Sequence, residues 1–171
     1  SDKAAEFLSN HVGVLELKGV VSLSENAIEY FFSHTGKILL SDEYIHGKEI
    51  TKLPGGGLEF GEGTKECIIR EFMEEASMKI KVKEHFYTTD FFVNSAFNPN
   101  SQVISIYYLV EPLEEVNLPT SHRKFDFAEK KEGAQVFRWK SVEKLSENEF
   151  TFVIDQTVSK MIKERFTNSN E

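Results

Sequence analysis

Apolar residues between positions 64 and 78 recur with a helical period. At about 100° per residue, Ile68, Ile69, Phe72, Met73 and Ala76 fall on one arc, and Glu71, Glu74 and Glu75 gather opposite them. The pattern predicts an amphipathic helix with packing on one side and acidic chemistry on the other. Thr64 is the expected N-cap, with Glu66 in the favourable first turn. Upstream, a short helix with Phe7 and Leu8 on one side is expected to open the chain, and residues 12–23 are rich in strand formers. Residues 27–33 and 37–41 flank His34-Thr35-Gly36, a turn signal that predicts a β-hairpin. Residues 49–53 lead into a glycine-rich loop. Beyond the helix, strands are predicted over 80–93 and 102–110, separated by a turn at Asn98-Pro99-Asn100, then over 134–139. A closing amphipathic helix is predicted over 152–166. Strands interspersed with two main helices read as a layered α/β arrangement, and no repeat, low-complexity tract or linker divides residues 1–171, so a single domain is expected.

The acidic side of the first main helix carries the chemistry. Residues three and four apart on a helix are neighbours, so the carboxylates of Glu71, Glu74 and Glu75 crowd together. Each such pair costs roughly 1 to 3 kcal/mol at the effective dielectric of a protein surface unless a cation lies between them. Taken alone, the hexapeptide REFMEE fits a solvated acidic face equally well. The preceding run Leu53-Pro54-Gly55-Gly56-Gly57-Leu58-Glu59-Phe60-Gly61-Glu62 shifts the balance, because it supplies a backbone able to approach a ligand closely and a fourth acid, Glu62, at the turn into the helix. Its free carbonyls are oxygen donors. A donor set of oxygens without His or Cys suits Mg²⁺ or Mn²⁺ rather than Zn²⁺.

The run GGLEFGEGTKECIIREFMEEASM, residues 56–78, resembles the signature of the Nudix hydrolases. Gly56 opens it, Glu62 follows after five residues and Arg70-Glu71 after seven more; Phe72 takes the first bulky position, Glu74-Glu75 match, and Met78 closes it. Phe72 is aromatic where an aliphatic residue is usual. Ser77 stands at the last glycine position, where the chain leaves the helix left-handed, at an expected cost of roughly 1 kcal/mol. The resemblance implies an α/β/α sandwich around a mixed β-sheet, and it implies that Arg70 orients a glutamate, Glu62 or Glu71. It implies one or more Mg²⁺ (or Mn²⁺) ions held by Glu71, Glu74, Glu75 and the Gly55 carbonyl. The implied reaction is hydrolysis of a phosphoanhydride in a nucleoside diphosphate linked to another group, with Glu71 as general base.

A long polar stretch, residues 118–133, extends that reading. Loops of more than about 12 residues in compact domains are commonly binding loops or disordered. In Nudix enzymes a loop at this point often contributes a further glutamate, so Glu132 is the first rival to Glu71 and Glu129 the second; a mobile charged loop without chemistry is the alternative. His122 is the one histidine of five read as a candidate phosphate contact.

Composition narrows the classes. The net charge of −8 opposes a nucleic-acid groove, yet a small nucleotide-type diphosphate remains compatible because metal ions bridge acidic protein and acidic phosphate. Fifteen Phe residues are expected to fill much of the core. One cysteine, Cys67, excludes an intrachain disulfide and reads as a small core residue. Neither a membrane-spanning run nor a signal-peptide pattern is present, so no membrane partner and a reducing, cytoplasmic setting are expected. A homodimer is left open. The glycine loop lacks the Gly-Lys-Ser/Thr ending of a P-loop. Markers of the ADP-ribose, diadenosine polyphosphate and coenzyme A subgroups are not found; Pro99 lies too far beyond Met78 to match the first. Two other classes are carried forward, a Nudix-like nucleotide sensor and a structural domain with a solvated acidic helix.

Overall fold

The protein is described by a computed structural model over residues 28–31, 36–98 and 100–167. Its centre is β2 (Lys37–Ile45), a strand whose side chains alternate between two covered faces. Leu39 joins Cys67, Ile68, Phe72, Tyr108, Val110 and Phe137 beneath α1 (Thr64–Ala76). Its neighbours Ile38 and Leu40 point the other way, into a cluster with Tyr107, Ile154, Val158 and Ile162 beneath α2 (Val153–Thr167). Burial on both faces makes the layered α/β/α arrangement, with a helix against each side of the strands.

The strands among the described residues form two three-stranded sheets. In one, β1 (Ile28–Phe31) runs parallel to β5 (Ile106–Pro112), and β5 pairs antiparallel with β4 (Ile80–Thr88). In the other, β2 lies between β3 (Lys48–Lys52) and β6 (Ala134–Ser141), all antiparallel. Among the described residues, no helix is long and apolar enough to cross a membrane.

The expected hairpin on either side of His34-Thr35-Gly36 does not form. The strand before the turn pairs with β5, 75 or more residues later in the chain, whereas the strand after it pairs with β3 and β6. His34 and Thr35 lie outside the described residues, and which strands pair on either side of them is decided by burial of the faces. The hairpin of this region is β2–β3, closed by His46 (φ 49°) and Gly47 (φ 74°), with Ile45 opposite Lys48. Two consecutive positive φ angles are the mark of the two-residue turn that matches strand twist. β2 also runs four residues past the expected end at Ser41, with Ser41, Asp42 and Glu43 all buried.

Other expectations shift with the packing. The predicted strands over 80–93 and 102–110 are present as shorter β4 and β5, followed toward the intervening turn by an isolated bridge between Asn94 and Gln102; Pro99 of that turn lies outside the described residues. The expected opening helix and the strand-rich segment 12–23 also lie outside them. Among the described residues, Phe72, Phe137 and Phe150 are buried, while Phe60, Phe91, Phe92 and Phe97 are exposed. Aliphatic side chains therefore fill more of the core than the phenylalanine count suggests.

Candidate active site

The loop from β3 to α1 presents three consecutive glycines, and each meets a different polar side chain. At Gly55 the backbone takes φ 144°, a conformation open to glycine, and its carbonyl accepts from the Lys52 ammonium. Gly56 faces the Glu71 carboxylate so closely that a Cβ there would overlap it. The Gly57 carbonyl accepts from Arg70 Nη2 at 3.0 Å and from the Cys67 thiol at 3.4 Å. The loop backbone is thus fitted against α1 and the end of β3.

Arg70 is the hub of this fit. Its Nε and Nη2 form a fork on Glu62, at 3.0 and 2.7 Å, and its Nη1 donates to Glu71 at 2.8 Å and to Glu74 at 3.0 Å. Two parallel charge-assisted bonds fix the guanidinium plane. They also hold the Glu62 carboxyl at about 2, well below its ordinary 4.5. The same contacts raise the Arg70 pKa. Burial, reinforced by the Glu62 carboxylate, pushes the Cys67 thiol up to about 12, which suits a core residue and not a nucleophile.

Packing and chemistry do not occupy separate sides of α1 as the periodicity suggested. Glu71 is only 9% exposed and lies in the buried stripe with Cys67, Ile68 and Phe72, whereas Ile69 and Met73 are each 42% exposed. The helix is rotated toward the glycine loop, because the open backbone at Gly56 leaves room for a carboxylate there. Its N-cap is Gly63, whose N–H donates to Glu66 at 2.6 Å; Thr64, the expected cap, is the first helical residue and its hydroxyl bonds Tyr108 at 2.7 Å. The exit follows expectation. Ser77 is left-handed, φ 50° and ψ 34°, with its N–H on the Met73 carbonyl.

The four glutamates are divided between a guanidinium and a neutral amide. Glu62, Glu71 and Glu74 converge on Arg70, while Glu75 turns away and accepts from Gln135 Nε2 at 3.0 Å. Burial raises the Glu75 pKa, opposed by the nearby Lys52. Among the described residues no three acidic or imidazole groups are gathered at metal-binding spacing. The donor chemistry nevertheless fits a hard divalent ion: carboxylates of Glu71, Glu74 and Glu75 with the Gly55 carbonyl, all oxygen donors, with Glu71 seated against the Gly56 backbone. Lys52, Glu43 and Gln135 were missed in the sequence; the signal available was the run Ser41-Asp42-Glu43 inside an otherwise apolar strand.

The long polar stretch is tied to the rest of the protein at several points. The Phe125 N–H donates to Asp42 at 3.1 Å, Lys124 reaches the Glu149 carbonyl, and Lys130 pairs with Glu49 at 2.6 Å. Asp42 itself is buried and paired with Arg138. Glu132 accepts from the His46 N–H at 2.8 Å, at the β2–β3 turn, and Glu129 pairs with Lys131. The hairpin turn is the end of β3 away from Gly55, so neither glutamate joins the helix acids. His122 is exposed on the loop.

A cavity of about 450 Å³ adjoins the loop, lined by Gly55, Gly56, Gly57, Lys52 and Glu75 together with Phe97, Phe152 and Asp155. It is of a size to hold a small organic ligand.

A family model described as the NUDIX domain matches residues 26–160. Solved structures share the fold. A NUDIX hydrolase from Nitrosomonas europaea superposes with a TM-score of 0.60 at 16% identity, over 81% of this chain and 87% of that one. A MutT structure, from work on the proteins of Aliivibrio salmonicida and Vibrio cholerae, gives 0.56 at 20% identity, over 82% and 98%. An ADP-ribose pyrophosphatase from Streptococcus suis gives 0.53 at 18% identity, over 81% and 89%. At these identities the likeness is one of fold.

Proposed function

The chain belongs to the Nudix family, hydrolases that act on phosphorus-containing anhydrides, and we propose that it hydrolyses a phosphoanhydride in a small nucleotide-type diphosphate in the presence of Mg²⁺ or Mn²⁺. The observation that carries this reading is the shared wall: the same glycines that receive Lys52, Glu71 and Arg70 also bound the cavity. A ligand in the cavity would set its phosphates against the glycine loop and Glu75.

Glu71, Glu74, Glu75 and the Gly55 carbonyl are the groups that would hold the ion. When bound, a divalent ion supplies charge neutralisation for the diphosphate and acidification of a water. Glu71 takes the role of general base. Its carboxylate is oriented by Arg70 and buried against the Gly56 backbone, so it is positioned without rotamer search. Arg70 is a positioning residue, because its donors are directed to Glu62, Glu71, Glu74 and Gly57. Glu62 in turn fixes Arg70. The apolar part of the cavity, lined by Phe97 and Phe152, which pack edge to face on each other, receives the organic group attached to the phosphates.

The test is a panel of nucleoside diphosphate sugars, dinucleotides and nucleoside triphosphates assayed with Mg²⁺ and Mn²⁺, with products identified. At least one member should be cleaved at a phosphoanhydride to give a nucleoside monophosphate, and Glu71→Gln should slow that turnover by at least about 100-fold. Tight binding of a nucleotide without metal-dependent turnover would replace this reading with that of a sensor.

A further inference from the structure

We propose that Lys52 is a tethered cation that occupies the corner of the site where Gly55, Glu43 and Glu75 meet, competes there with the divalent ion, and so sets the metal concentration at which the site loads. The inference rests on the metal reading above. It starts from the Lys52 ammonium, which is bonded to the Gly55 carbonyl and lies 3.2 Å from Glu43 Oε1. The ammonium therefore already engages a carbonyl expected to serve as an oxygen ligand. Both side chains are withdrawn from water, Lys52 being 12% exposed and Glu43 9%, so this pair is screened far less than a surface one.

The corner is a connected unit. Gln135 Nε2 joins Glu43 at 3.2 Å to Glu75 at 3.0 Å, and Ser41 donates to Glu43 at 2.7 Å. The ammonium thus touches one carbonyl and one carboxylate, and the Gln135 amide links that carboxylate to Glu75, whose charge the ammonium also feels. Lys52 contributes a single positive charge where an ion would contribute two. A compact ammonium on a flexible four-carbon stem is suited to that role, as the broad planar guanidinium of Arg70 is to its fork. Its anchorage limits its range, because Lys52 is the last residue of β3 and pairs with Ser41 in the buried part of β2. An ion that takes the Gly55 carbonyl must displace this ammonium and still meets its charge nearby. Lys52 lines the cavity, so open space adjoins the side chain that would be displaced.

Direct titration with Mn²⁺, read by the loss of its free electron-resonance signal, tests the idea without catalysis. The parent is compared with Lys52→Met, Lys52→Gln, Lys52→Arg and, as a remote control on the exposed face of α1, Lys65→Met. Removing the charge by Met or Gln should tighten Mn²⁺ binding at least about fivefold, while Arg and the Lys65 control should stay within about twofold of the parent. Two neutral replacements guard against one that fails to fold. Equal or weaker binding by both would overturn the proposal, since Lys52 would then support the site instead of competing for it. A comparable gain in Lys65→Met would overturn it in favour of a general charge effect. Absence of Mn²⁺ binding in every protein would defeat the metal reading itself, an outcome distinct from equal affinities.

Discussion

Glu71 occupies the space that a side chain at residue 56 would need: a Cβ on Gly56 would lie 2.2 Å from the Glu71 carboxyl carbon and 2.3 Å from each of its oxygens. Contacts that short force a displacement, and the carboxylate is the movable partner. Gly56→Ala should therefore leave the chain folded, with a loss of at most about 2 kcal/mol, while turnover falls at least about tenfold because a small misplacement of a reacting group is costly. Urea unfolding beside steady-state kinetics separates the two effects. A variant with parental turnover would show that the Glu71 position is not critical.

Arg70 and Glu62 make a pH-dependent contribution with a defined sign. The folded carboxyl titrates at about 2 against an ordinary 4.5, so its stabilisation is complete above the ordinary value and is lost as pH falls toward 2. Arg70→Lys breaks the two-bond fork and should lower the unfolding free energy by about 1 to 3 kcal/mol at neutral pH. The difference between parent and variant should shrink as the medium is acidified from about pH 5 to about pH 3, measured by denaturant titration at each pH. A constant difference would contradict this source of stability.

Metal should stabilise the folded chain. Millimolar Mg²⁺ or Mn²⁺ is expected to raise the unfolding temperature through binding to the native state alone. Replacing Glu74 and Glu75 together by Gln should abolish the rise. Calorimetry with metal and with a chelator reads it, and an undiminished rise in the double variant would place the ion elsewhere.

Ser77 holds a left-handed backbone conformation at the exit of α1, a conformation that glycine adopts without penalty. Ser77→Gly should raise stability by up to about 1 kcal/mol and leave turnover within about twofold. A large gain in turnover would show instead that the serine disturbs the site.

Glu132 is bonded to the His46 N–H at the hairpin turn and lies apart from the helix acids. Glu132→Gln keeps an acceptor for that bond, so turnover should remain within about threefold of the parent, against the loss of about 100-fold expected for Glu71→Gln. Comparable losses in both variants would reinstate the loop glutamate as a base.

Local structure around the acidic helix was legible in the residues alone. The periodicity of residues 64–76 specified a helix, the glycine run specified an open loop before it, and the spacing of Arg70, Glu71, Glu74 and Glu75 brought them within one or two turns of each other, with Glu62 just ahead of the helix. These are short-range relations, set by helix geometry and by backbone freedom. Ser77 belongs with them, because a left-handed exit is a property of the helix end. The tertiary structure decided the relations between distant segments. Whether Glu71 faced solvent or the loop depended on how α1 was rotated against β4 and β5, and the Gly56 cradle selected the buried orientation. The partner of Glu75 came from β6, that of Gly55 from β3, and that of Glu132 from the β2–β3 turn. Likewise, β1 found β5 rather than its neighbour in sequence. Such pairings follow from which faces can be buried together, and a local pattern of polar and apolar residues carries no record of the partner across the sheet.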